Sequence, residues 1–124
     1  MRLAVVVAVV GSLLLPAAVS AASVTYRDTI ATGKTGQVSV TARAAAAFAV
    51  SLRVPAGGRT QLFLLGAKAP KGGALLDTAT TSCPRKGTVR ICSGRYEALP
   101  PGTYTWRVKR VSGASGNVAL TVRW

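Results

Sequence analysis

Histidine is absent from this chain of 124 residues, and only three carboxylates occur, Asp28, Asp77 and Glu97. Without histidine there is no Ser-His or Cys-His nucleophile, no common general base and no usual zinc ligand. The three carboxylates are each flanked by basic or turn residues, which suits surface charge pairing better than the facing pair that a glycosidase needs. No Ser-x-x-Lys motif is present. Gly33-Lys34-Thr35 matches the end of a phosphate-binding loop but lacks its upstream glycine and following helix, so it reads as a turn. Leu99-Pro100-Pro101-Gly102-Thr103 resembles a wall-sorting signal with two letters exchanged, and it too reads as a turn. These absences leave no catalytic set, no cofactor site and no metal site, so a protein that is not an enzyme is expected.

Cysteine is scarce, with only Cys83 and Cys92. Two cysteines without histidine cannot close a tetrahedral zinc site. Their spacing is also not that of a Cys-x-x-Cys redox pair. In an oxidising compartment the pair predicts a disulfide. Closing a loop of about ten residues is worth roughly 2.5 to 3 kcal/mol in the chain-entropy model.

Long apolar runs are also few. The one that stands out, Leu3 to Leu15, follows Met1 and Arg2 and precedes Pro16 and a string of small residues through Ala22. Residues 1–22 therefore read as a secretory signal peptide, cut after Ala21 or Ala22. The run is shorter than the roughly 20 residues of a spanning helix, which disfavours an uncleaved anchor. No cysteine follows for lipidation, and Arg2 alone makes no twin-arginine signal. The expectation is a secreted protein in which residues 23–124 form one domain, with no transmembrane segment after cleavage. The positive mean hydropathy of +0.37 owes much to the signal.

Against the scarcity of acids stands an excess of bases. Losing Arg2 leaves fifteen Lys and Arg against three carboxylates, a net charge of +12. So basic a domain attracts polyanions. Outside a cell these are wall polymers, acidic polysaccharides, membrane surfaces and stray nucleic acid, with nothing pointing to specific nucleic-acid recognition.

The mature chain is dominated by period-two alternation. Val38, Val40 and Ala42 alternate with Ser39, Thr41 and Arg43; Phe48, Val50, Leu52 and Val54 with Ala47, Ala49, Ser51 and Arg53. Val24 and Tyr26, Tyr104 to Val108, and Val118 to Trp124 behave alike, which marks half-buried strands. Gln61 to Leu65 is apolar on both faces and suits a more central strand. Gly- and Pro-rich turns separate the runs. Ala44 to Ala47 admits a helical turn. The Tyr104 strand and the Val118 strand are expected to be antiparallel neighbours, with Tyr104, Trp106, Leu120 and Val122 as the densest core patch. Trp124 reads as a core clamp. The predicted fold is all-β, a small antiparallel β-sandwich with one disulfide.

Phe63-Leu64-Leu65 with Gly73-Ala74-Leu75-Leu76, and Leu99 to Val108 followed by Ser112-Gly113 and Val118 to Val122, resemble the bacterial pre-peptidase C-terminal domain. The resemblance spans about two-thirds of the mature chain. It implies a jelly-roll-like sandwich and a non-catalytic accessory domain, in some members linked to polymer binding. Family members trail secreted peptidases, and no peptidase sequence accompanies these residues. The acidic residues that hold calcium in some members are largely missing here. No functional residue is carried over, and the Cys83–Cys92 loop reads as a local addition.

Candidate anion-binding residues follow from outward strand positions and from the loop. Arg43, Arg53, Arg107, Lys109 and Arg123 make one basic face if their strands share a sheet. Arg85, Lys86, Arg90 and Arg95 belong to the disulfide loop and its flank. The plainer reading of the same side chains is a solvated surface that protects sheet edges. The expected function is a secreted binding module for an anionic polysaccharide or cell-surface polymer. The alternative is a small protease inhibitor or antimicrobial protein. It would offer a protein target the Cys83–Cys92 loop, with Arg85 or Lys86 as the reactive residue, or offer a membrane the basic face.

Overall fold

The structure is a computed structural model and describes residues 22–124. The signal expected over residues 1–22 lies outside the described residues except for Ala22. Nine strands form the described chain: β1 (Ser23–Ile30), β2 (Thr35–Ala42), β3 (Ala46–Pro55), β4 (Arg59–Leu65), β5 (Leu76–Asp77), β6 (Arg85–Lys86), β7 (Val89–Leu99), β8 (Gly102–Ser112) and β9 (Gly116–Arg123). They pair antiparallel in two sheets. The first has the order β1-β9-β3-β7-β6 and the second β2-β8-β4-β5.

The alternation in the sequence becomes the two faces of each sheet. In β2 the residues are exposed and buried in strict turn. Phe48, Leu52, Leu62, Tyr104, Trp106, Val108, Leu120 and Val122 all point into the space between the sheets. Each large side chain so buried contributes about 1.5 to 3 kcal/mol. Phe48 lies at the centre of the aromatic cluster, edge-on to Tyr104 at 5.4 Å and stacked on Trp124 at 5.9 Å. Trp124 is thus the clamp that its sequence position suggests. The Tyr104 hydroxyl donates to the Pro100 carbonyl at 2.5 Å, tying the Pro-Pro-Gly turn to the core.

Two expectations are corrected. First, β8 and β9 are not sheet neighbours. β8 pairs with β2 and β4, whereas β9 lies between β1 and β3. Most connections in this chain step from one sheet to the other, because a few extended residues suffice to cross the roughly 10 Å between packed sheets. Tyr104 and Trp106 therefore face Leu120 and Val122 from opposite sheets. Second, Ala44 to Ala47 form no helical turn: Ala46 and Ala47 already belong to β3. Pairing of β3 on both sides outweighs the helix preference of alanine. The interior position of β4, between β8 and the short β5, agrees with its apolar pattern.

Among the described residues one cation lies inside. Arg110 is 2% exposed and donates to the Ala114 and Gly57 carbonyls and the Thr60 hydroxyl. Thr60 and Arg110 are cross-strand partners, and each has the inward parity of its strand, Thr60 with Leu62 and Leu64 and Arg110 with Trp106 and Val108.

Candidate functional site

The outer face of the five-stranded sheet carries an ordered pattern of side chains. Cross-strand register places Arg123 opposite Ala49, and Ala49 opposite Arg95. Two residues along, Thr25, Thr121, Ser51 and Ser93 lie in one row. Two further along, Arg27 and Arg53 flank Ala119. The result is two Arg-Ala-Arg rows with a row of hydroxyls between them. Strand spacing sets the arginines of one row about 10 Å apart, and the two rows about 13 Å apart. All four arginines are exposed. Short alanine side chains form the floor between them, so the guanidinium groups stand as walls.

The Arg27-Ala119-Arg53 row opens into a cleft of about 590 Å³, lined also by Asp28, Thr29, Val89, Asn117 and Val118. Its carboxylate is already engaged: the Tyr26 hydroxyl donates to Asp28 Oδ2 at 2.6 Å and the Thr29 amide donates to Oδ1 at 2.8 Å. The Thr29 hydroxyl donates to Asn117 Oδ1 at 2.6 Å. The Asn117 amide nitrogen, with its two donors, meets no protein acceptor among the described residues. The side-chain groups without a protein partner are hydrogen-bond donors, two of them cationic, beside an Asp28 carboxylate that keeps its charge. At the other row, Glu97 approaches Arg95 at 3.5 Å, an exposed pair of little energetic weight.

The sequence-derived candidates are divided by the fold. Arg53 and Arg123 belong to the patterned face. Lys86 is paired opposite Val89, which lines the cleft. Arg107 and Lys109 lie on the other sheet, where Arg107 donates to Gln37 Oε1 at 3.0 Å. The five outward bases therefore do not form one face. Arg43 is exposed in the turn between β2 and β3. Arg90 is half-buried and structural, donating to the Cys83 carbonyl at 3.0 Å and the Ala56 carbonyl at 3.3 Å. Arg85 donates to the Gly87 carbonyl. With Lys86 it forms the first strand of a hairpin turning at Gly87-Thr88, so both backbones are paired. The hairpin is braced by the Cys83–Cys92 disulfide.

Arg27 is missing from the sequence-derived set. Its outward position follows from the alternation of Val24 with Thr25, but its place beside Ala119 depends on strand order. Asp77 also departs from expectation. It is buried, not a surface carboxylate, and the Arg59 guanidinium grips it through two bonds of 3.0 and 2.6 Å. Gln61 and the Ala79 amide add one bond each. The hydrogen bonds from Arg59 come first among the causes that hold the Asp77 carboxyl well below the usual carboxylate range. Burial pushes the Arg110 guanidinium down from its ordinary value and the Tyr96 phenol up. Among the described residues, no three His, Cys, Asp or Glu side chains come together as a metal site.

No family model matches the sequence, and no curated protein does. The architecture does have a counterpart: the pre-peptidase C-terminal domain of collagenase from Bacillus anthracis, known from a 1.0 Å crystal structure. The two agree with a TM-score of 0.55 over 81% of this chain and 88% of that one. The chain has the pre-peptidase C-terminal fold. At 15% identity the likeness is one of fold, and the side chains of the patterned face are this chain's own. Within this pre-peptidase C-terminal-type sandwich, the arginine rows occupy the outer face of the larger sheet.

Proposed function

We propose that this chain is a secreted, non-catalytic binding module that takes an anionic extracellular polymer on the outer face of its five-stranded sheet. The observation that carries the reading is the pair of Arg-Ala-Arg rows around a hydroxyl row. Arginine presents a planar fork of donors that suits carboxylate, sulfate and phosphate groups. Serine and threonine hydroxyls between the rows suit a polymer that carries hydroxyls between its charges. The face offers no aromatic ring, so base stacking of the kind that holds single-stranded nucleic acid has no platform there. Export is supported by the signal-like residues 1–22 and by the disulfide, a bond of oxidising compartments.

The test is retention of the protein on an immobilised acidic polysaccharide or on cell-wall material across a salt gradient. Retention should fall steeply as salt rises, because exposed charges are screened beyond about 8 to 10 Å at physiological salt. Retention that high salt leaves unchanged would remove the reading.

A further inference from the structure

Resting on that reading, we propose that the cleft at Arg27, Ala119, Arg53 and Asn117 is a discrete subsite for one anionic sugar residue, carboxylated or sulfated. The rest of the patterned face then adds only general attraction for the polymer.

The cleft shares the Arg-Ala-Arg pattern with the other row, and two further features set it apart from the remainder of the face. Its two guanidinium groups stand on either side of an alanine, so they bracket a ligand where a larger side chain would fill the gap. Neither arginine pairs with a carboxylate among the described residues, whereas Arg95 is approached by Glu97. Both Asp28 oxygens are held by Tyr26 and by the Thr29 amide, and the Thr29 hydroxyl holds the Asn117 oxygen. What the cleft offers is therefore two cationic forks, a neutral NH2 group and one carboxylate, Asp28, that keeps its charge but already accepts two hydrogen bonds, so cations exceed anions by one. An anionic group satisfies the forks, and a ring hydroxyl or ether oxygen satisfies the amide. The volume of about 590 Å³ falls within the range of small-ligand sites, roughly 300 to 1,000 Å³. It is open enough for the sugar to belong to a longer chain.

The test is titration of the full mature protein with a disaccharide bearing a single carboxylate, its singly sulfated counterpart and the neutral parent, followed by calorimetry or NMR. One or both charged disaccharides should bind and the neutral one should not; which charged one binds identifies the anion. Arg27→Gln and Arg53→Gln should each weaken binding about tenfold, the loss of a charge-assisted hydrogen bond. Ala119→Leu changes no charge but fills the floor, and it should abolish disaccharide binding. Asn117→Ala adds no bulk and should weaken binding about fivefold if the amide contributes a neutral hydrogen bond. The charge-matched pair Arg107→Gln with Lys109→Gln, on the other sheet, should change it by less than about twofold. Equal losses from the cleft and the other sheet, or full binding by Ala119→Leu, would overturn the subsite. A protein retained on the polymer but blind to every disaccharide loses the subsite and keeps the polymer reading. A protein retained on neither loses both.

Discussion

The Arg110 guanidinium donates to the Thr60 hydroxyl at 2.9 Å inside the sandwich. The same guanidinium reaches Gly57 in the β3–β4 turn at 2.8 Å and Ala114 in the β8–β9 turn at 3.1 Å. A buried cation is here paired with carbonyl and hydroxyl oxygens and not with a carboxylate, and it fastens two turns to one strand. Gly113 accommodates it: its φ is +92°, and a Cβ there would lie 2.7 Å from Arg110 Nη2.

Arg110→Lys keeps the charge and loses the fork, leaving at least one of the two turn carbonyls or the buried Thr60 hydroxyl without its donor. We expect a loss of about 1.5 to 3 kcal/mol, read as a lower urea midpoint with an unchanged slope. Gly113→Ala should cost about 1 to 3 kcal/mol from backbone strain and crowding. Because the two share one space, the double variant should cost less than the sum, and strict additivity would contradict the arrangement.

Acid should act through Asp77. Its folded carboxyl is held below the usual range by Arg59, so its contribution is complete above the unfolded value of about 3.9 and is lost as pH falls through and below that value. Thermal midpoints measured from pH 7 down to pH 2 should decline in the native protein. Asp77→Asn should be less stable at neutral pH and show a shallower decline. An identical slope in the two proteins would place the acid sensitivity elsewhere.

Removing the Cys83–Cys92 bond should lower stability by roughly 2.5 to 3 kcal/mol, the loop-closure entropy of about ten residues. Reduction under denaturing conditions followed by blocked refolding, monitored by urea unfolding, measures this. The sandwich core of Phe48, Tyr104 and Trp106 should still form, because it lies in strands other than the bonded pair.

On the polymer column, Arg95→Gln with Arg123→Gln should lower the salt needed for elution more than Arg107→Gln with Lys109→Gln does. Both pairs remove two charges. A common shift would mean that net charge alone governs retention.

The sequence made much of this legible where local pattern is sufficient. The alternation in Val38 to Ala42 and Phe48 to Val54 identifies strands and their buried faces, because side-chain direction in a strand depends only on parity. The disulfide was legible from its pairing and expected compartment. Strand order was not, since whether β9 joins β8 or passes between β1 and β3 is decided by packing between distant segments. The same gap hid the site. Arg27, Ala119 and Arg53 come from three separated strands, and only their register makes them a row. Arg110 and Asp77 were hidden for another reason. Arg110 has the inward parity of Trp106 and Val108, and Asp77 sits in a strand of two residues that shows no period; in each the charge argues for solvent, and burial depends on hydrogen-bond partners supplied by other elements.

The place of β9 has a consequence for how the molecule comes into being. It is the last of the nine strands in chain order, yet both β1 and β3 hydrogen-bond to it. Thr25 and Thr121, side by side in the finished sheet, are 96 positions apart. The larger sheet cannot close until β9 is available, so its nucleus must wait for contacts of very high sequence separation. We therefore expect folding in milliseconds to seconds once β9 is available, with β1 lacking its one sheet partner until then.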